Sequence, residues 1–195
     1  MTLKGFTQIQ KERNLADNAS YDIMLQEIER INGFVSELML LGKPKPTMYQ
    51  LCDMRKVLLY VVHLMESYAM QYAVKIHIQV DEVLPDIKGD EKQLKQVLLN
   101  LVKNGIESMM HGGDLRISAY KTIEEKLFIC IQDEGCGMDS ERIERLGKSV
   151  YTTKENGTGL GLIITNKIIE EHQGMIQFKS NIGTGTKVEV TLPTI

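Results

Sequence analysis

The sequence predicts an α+β fold, a two-layer sandwich in which a mixed sheet carries helices on one face, preceded by a partial helical hairpin. Three observations lead there. Gly42-Lys43-Pro44-Lys45-Pro46 stops any helix and stiffens a linker. Beyond it, Val74-Lys75-Ile76-His77-Ile78-Gln79-Val80 alternates apolar and polar residues with the period of a half-buried strand. The later strands come as antiparallel hairpins set apart from the helices, not as a regular strand-helix-strand repeat. The expected divisions are residues 1–42 for the hairpin, 43–46 for the linker and 47–195 for the main domain.

Taken in order, Leu3 to Arg13 reads as the end of one helix and residues 19–41 as a second. Tyr21, Met24, Ile28, Ile31, Val35 and Leu38 recur in steps of three and four, a heptad seam. Two helices this short cannot bury that seam alone, so the pattern implies a homodimer; packing on the main domain is the other reading. Met54 to Ala73 is helical by spacing. Asp90 and Gln93 form a capping-box start for a helix reaching about Met110, with Leu94, Val97, Leu98, Leu101, Val102, Ile106 and Met109 on its apolar face. Leu115 to Tyr120 and Leu127 to Gln132 read as strands joined by a charged turn. A short helix spans Ser140 to Leu146 and a longer one Leu160 to His172. Met175 to Lys179 and Lys187 to Leu192 close the domain as a hairpin.

Composition removes several classes. The chain has 195 residues with a formal charge of −3, which leaves no basic excess for a nucleic-acid backbone. Its 43% hydrophobic and 25% charged residues are those of a globular domain. No run of 18 apolar residues occurs, so no membrane contact is expected of this chain. Three cysteines at no metal-ligand spacing suit a reducing cytosol.

Four features break the local rules. Asn100 and Asn104 lie one turn apart beside an apolar helix face, although Asn is a poor interior helix residue. Their amide oxygens suit Mg2+ or a bridge to phosphate, unless they only face solvent or bond the backbone. Asp133-Glu134-Gly135-Cys136-Gly137 follows a continuous apolar strand. A carboxylate leaving the core there suits an exocyclic amine such as that of adenine and refuses the acceptor of guanine. Gly135 and Gly137 would let a flat ring approach, or simply make a turn. Gly157-Thr158-Gly159-Leu160-Gly161 opens a helix, and main-chain N–H groups at a helix start form an anion cradle. Its GxGxG spacing and polar approach do not fit a dinucleotide-binding loop. Between the last two features, Asp139 to Asn156 has the length and polarity of a lid, with Lys148 and Lys154 within its span.

In this order and combination the motifs resemble those of bacterial sensor histidine kinases. Asn100 and Asn104 are similar to that family's N box, Asp133 to Gly137 to its first glycine box, and Gly157 to Gly161 to its second. Thr186, after Gly183-Thr184-Gly185, resembles a late threonine near the adenine. Residues 1–41 resemble the end of the dimerisation and phosphotransfer hairpin. Leu3-Lys4-Gly5-Phe6 and Tyr151-Thr152-Thr153-Lys154 resemble the kinases of sporulating bacteria in particular.

The resemblance implies a Bergerat-type ATPase fold over 47–195 that binds ATP and Mg2+. It implies that Asn104 ligates the metal, Asn100 supports metal and phosphates, and Asp133 binds the adenine amine beside Gly135, Gly137 and Thr186. Gly157, Thr158, Gly159, Leu160 and Gly161 would wrap the phosphates, with Lys154 reaching them from the lid. The implied reaction passes the γ-phosphoryl group to a histidine and then to an aspartate on a response-regulator receiver domain or phosphorelay protein. The expected location is the cytoplasm, with a membrane anchor possible in the intact kinase.

Two departures follow from the same comparison. The family's His-Glu-x-x-Asn-Pro phosphoacceptor motif does not occur here. The chain therefore reads as a truncated form, starting about two helical turns late, that binds ATP without phosphorylating itself. Lys148-Ser149-Val150 stands where the lid often carries Pro-Phe, with Tyr151 the available substitute. In related gyrase-type ATPases a glutamate four residues before the metal-binding Asn activates water; here that residue is Asn100, whose amide takes no proton near neutral pH. Glu107 is the remaining candidate base. A gyrase-type ATP-hydrolysing domain and a non-catalytic, nucleotide-dependent interaction module are the alternatives.

Overall fold

The computed structural model describes residues 24, 25, 28 and 31, then 49–147 and 159–195. The chain divides into two compact units, Met1–Lys45 and Pro46–Ile195. In the first, Met24, Leu25, Ile28 and Ile31 are helical, and Met24 and Ile31 are exposed. The rest of the predicted hairpin, the 43–46 linker and residues 148–158 of the predicted lid lie outside the described residues.

The second unit runs β1 (Gln50–Cys52), α1 (Met54–Gln71), β2 (Val74–Val80), β3 (Ile87–Gly89), α2 (Glu91–Ser108) and β4 (Gly113–Lys121). It continues with β5 (Leu127–Gln132), α3 (Ser140–Arg145), α4 (Gly161–Glu171), β6 (Met175–Asn181) and β7 (Gly185–Leu192). A five-stranded sheet has the order β2-β4-β5-β7-β6, in which β2 and β4 are parallel and the other pairs antiparallel. A parallel pair needs a crossover, and α2 lies within the one between β2 and β4. Leu115, Ile117 and Ala119 of β4, Leu127, Ile129 and Ile131 of β5, and Val188, Val190 and Leu192 of β7 are buried. All seven apolar residues predicted for the α2 face are buried with them. Helix α2 packs between α1 and α4 and against β5 and β7. The result is a mixed sheet with helices packed against it, as the fold class required.

Two details differ from the sequence expectation. A two-stranded ribbon pairs β1 with β3, each three residues long and too short to display a period. The capping box at the start of α2 is only half closed. The Asp90 carboxylate accepts from Lys92 N at 2.9 Å and Gln93 N at 3.2 Å, as predicted. Gln93 does not return the bond, and its Oε1 is buried without a hydrogen-bond partner. Asp90 N instead donates to Nε2 of His172 at 3.0 Å.

His172 explains the substitution. It ends α4, is 4% exposed, and its Nδ1 lies 2.7 Å from Ile168 O. A main-chain carbonyl only accepts, so Nδ1 carries the proton and Nε2 is left to accept from Asp90. Gly89 packs directly under the ring, where an added Cβ would come within 2.8 Å of His172 Cδ2. One imidazole thus joins the end of α4 to the start of α2. His172→Ala is expected to cost about 2–4 kcal/mol, from the cavity and the orphaned Asp90 N–H. Urea denaturation checks this, and a loss below about 1 kcal/mol would mean that water replaces the ring.

Candidate nucleotide site

Strand β5 carries Asp133 out of the core while leaving it only 5% exposed. Burying a carboxylate requires partners. Its Oδ1 accepts from Ser108 Oγ at 3.0 Å, Gly135 N at 2.9 Å and Thr186 N at 3.1 Å. Among the described residues, all of its side-chain hydrogen bonds fall on Oδ1. Asp133 N donates to Thr186 O at 2.9 Å, so β7 clamps the residue through its main chain as well. Burial pushes the Asp133 carboxyl above the usual carboxylate range, and the bonds from Gly135, Ser108 and Thr186 pull it partly back.

Thr186 is buried beside Asp133. Its Oγ1 lies 3.0 Å from Ser180 Oγ, which also donates to Gly185 O at 2.7 Å. Gly135 and Gly137 sit in close contact with neighbouring elements. A Cβ on Gly135 would lie 2.0 Å from Ser108 Oγ, and one on Gly137, whose φ is +67°, would lie 1.9 Å from Asn181 O. The space these glycines leave is filled by α2 and by the end of β6. They close the turn against protein, and that packing is why glycine stands there.

Helix α2 presents Asn100, Asn104 and Ser108 at successive four-residue steps. The Asn100 amide bonds within the protein at both of its atoms. Its Nδ2 donates to Thr165 Oγ1 at 2.8 Å, and its Oδ1 accepts from Asn104 Nδ2 at 3.4 Å. Thr165 is 1% exposed on α4. Gly161 lets the two helices meet, because a Cβ there would lie 2.5 Å from Asn100 Oδ1. Asn100 therefore braces α2 against α4 and also accepts from the Asn104 amide. Glu107, the candidate base, is engaged elsewhere: Tyr68 of α1 donates to its Oε1 at 2.6 Å, and Lys103 lies 3.7 Å away.

Of the second glycine motif, Gly159, Leu160 and Gly161 are described, whereas Gly157, Thr158 and the lid residue Lys154 are outside the described residues. Gly159 takes φ +71°, and α4 starts at Gly161 with no side-chain cap. The Leu160 side chain is 2% exposed. It anchors the loop in the core, so any part it plays toward a phosphate falls to its main chain. Three contributors escaped the sequence reading. Thr165 was a single hydroxyl within the buried stripe of α4. Ser108 continued the Asn100 and Asn104 spacing by one more turn. Arg116 donates to Glu134 Oε1 at 2.8 Å, and Asp114 N to Glu134 Oε2 at 3.2 Å, pinning the residue after Asp133. Arg116 came from a strand with no sequence link to the turn.

Comparison with known proteins agrees with this geometry. The family model described as histidine kinase-, DNA gyrase B-, and HSP90-like ATPase matches residues 89–195. The chain belongs to this ATPase family, and its catalytic unit is of the bacterial two-component sensor histidine kinase type. Sporulation kinase E of Bacillus subtilis (strain 168) is 38% identical over 192 residues, covering 98% of this chain. The chain spans only 26% of that kinase's length. The nucleotide-free catalytic domain of histidine kinase ThkA aligns with TM-score 0.65 and 28% identity, over 75% of this chain and 95% of that one. Full-length ShkA in complex with AMPPNP aligns with TM-score 0.86 over 98% of this chain and 42% of that one; its 21% identity speaks to the fold. The nucleotide of this fold is ATP, with Mg2+. The buried carboxylate and the amide pair of this chain have the donor and acceptor chemistry to receive them.

Two outcomes follow. A carboxyl whose folded-state pKa is raised binds protons more readily when folded, so its contribution to stability falls as pH rises from the unfolded value through the folded one. Asp133→Asn should therefore raise the unfolding midpoint of the nucleotide-free chain at neutral pH, with the difference vanishing in acid; thermal melts across pH test it. Thr165→Val leaves the Asn100 amide without its partner and should cost about 1–3 kcal/mol in urea unfolding.

Proposed function

We propose that residues 47–195 bind MgATP and present its γ-phosphoryl group to a histidine outside this unit, from which it passes to an aspartate of a response-regulator receiver domain or phosphorelay protein. The observation that carries the proposal is Asp133: a buried carboxylate with Oδ1 saturated by protein donors and Oδ2 left to face an amine. Adenine offers an amine there, whereas guanine offers an acceptor that an ionised Asp133 repels. Asn104 would ligate Mg2+ through its amide oxygen, steadied by Asn100. The main-chain N–H groups opening α4, a helix with no side-chain cap, would serve the phosphates, with Gly157, Thr158 and Lys154 completing the set. Bound Mg2+ supplies charge neutralisation on the phosphate oxygens. This chain's own contribution is positioning and exclusion of water.

Nothing on this face of α2 readily removes a proton from water. The residue four before Asn104 is an amide bonded to Thr165, and Glu107 is held by Tyr68. That favours transfer to a better nucleophile over steady hydrolysis and argues against the gyrase-type alternative. Residues 1–42 we read as part of a dimerisation hairpin lacking the phosphoacceptor, and the setting as cytoplasmic. No helix among the described residues is long and apolar enough to cross a membrane. The likeness to Sporulation kinase E supports this reading over a non-catalytic module.

Calorimetric titration with a non-hydrolysable ATP analogue, with and without Mg2+, tests the proposal. Asp133→Asn should weaken binding by about 100-fold, as expected for a lost charge-assisted bond and an amide presented in its place. Asn104→Ala should remove the Mg2+ dependence. Absence of binding by the folded, unmutated chain would move the interaction-module alternative ahead.

A further inference from the structure

We infer that Ser108 is a positioning residue of this site: its hydroxyl holds Asp133 ionised and oriented, with Oδ1 kept inside the protein and Oδ2 presented to the adenine amine. The inference rests on the nucleotide reading above and names what sets the choice between adenine and guanine.

The geometry isolates Ser108 from the other two donors. Gly135 N and Thr186 N are main-chain groups fixed by the turn and by the β5–β7 pairing. A hydroxyl rotates and has one proton to give. Ser108 Oγ has two acceptors within reach, Gly105 O at 2.8 Å and Asp133 Oδ1 at 3.0 Å. When Asp133 is ionised, its charge draws the proton to Oδ1. When Asp133 is neutral, the proton can return to Gly105 O and no donor is left buried. The Ser108 bond is thus worth most to the charged carboxyl.

Its position is fixed from the other side as well. Cys136 N donates to Ser108 O at 3.1 Å, and Gly135 packs against the Ser108 side chain. The last turn of α2 therefore holds the Asp133 turn by both main chain and side chain. Among the described residues no charged group bonds Asp133, and Lys179 and Lys187, which line a cavity with it, are both paired with Glu189. Ser108 from α2, Gly135 from its own turn and Thr186 from β7 are uncharged, and burial and these donors account for its shift. The neighbouring acid, Glu134, is paired with Arg116.

The consequence is a specificity device. An ionised Asp133 accepts from the adenine amine and repels the carbonyl oxygen of guanine; a protonated Asp133 can donate to that oxygen. Whatever keeps Asp133 ionised keeps guanine out.

The test compares the unmutated chain with Ser108→Ala in two measurements. In the first, calorimetry follows binding of non-hydrolysable ATP and GTP analogues with Mg2+ from about pH 5 to 8. Ser108→Ala should bind the ATP analogue within about threefold of the unmutated chain at the alkaline end. Its acid limb should rise by about one pH unit, and the preference for ATP over GTP should shrink along that limb. In the second, carbon-13 NMR of the nucleotide-free chain should show the Asp133 carboxyl titrating at higher pH in the variant. Equal weakening at every pH, or an unchanged Asp133 titration, would overturn the inference and leave Ser108 a packing residue. Failure of the unmutated chain to bind the ATP analogue would overturn the nucleotide reading instead, with the NMR titration still deciding whether Ser108 governs Asp133.

Discussion

Burying a carboxyl group to 5% exposure demands that several elements meet at one oxygen, and the domain is arranged around that demand. The last turn of α2 brings a hydroxyl, the turn after β5 brings Gly135 N, and the start of β7 brings Thr186 N. These donors come from positions 108, 135 and 186, so they converge only when the sheet is paired and α2 lies across it. The glycines nearby belong to the same constraint. Gly135 lets Ser108 approach, and Gly137 and Gly185 allow the β6–β7 hairpin to close against the turn, with a Cβ on Gly185 lying 2.0 Å from Asp133 O.

Helix α2 is the common element. One stripe, from Leu94 to Met109, buries it against the sheet and its neighbours, and a second stripe of Asn100, Asn104 and Ser108 carries polar chemistry. The two stripes lie side by side because the helical period places residues four apart on one face. The polar stripe is supported at each step: Asn100 by Thr165, Asn104 by Asn100, and Ser108 by Gly105. Thr165 lies one turn after Gly161, so the bond to Asn100 ties the glycine motif at the start of α4 directly to the amide pair. His172, at the other end of α4, ties that end to the start of α2 through Asp90. Helices α2 and α4 are therefore pinned to each other at two separated points.

Much of this architecture was legible in the sequence, because it rests on local patterns. Strand β2 and strand β5 follow from alternation and apolar continuity, and the α2 core from three-and-four spacing. Asn104, Asp133 and Thr186 were singled out by the order of the motifs. These properties are set by residues close along the chain, where period, turn chemistry and helix capping operate. The class of ligand was legible too, since amides beside a core face, a carboxylate at a strand exit and glycines at a helix start suit different parts of one nucleotide.

The tertiary structure alone decided which partner each polar group takes, because that choice depends on distances between elements far apart in sequence. Gln93 had the spacing to complete the capping box, yet a buried imidazole 82 residues from Asp90 took the bond. Asn100 had the chemistry of a ligand, and the fold also gave its amide nitrogen a partner in Thr165, 65 residues away. Glu107 had the position of a base, and the fold set Tyr68 of α1 to donate to its carboxylate. In each case the sequence determined what a residue is able to donate or accept, and packing determined which neighbour came within hydrogen-bonding reach.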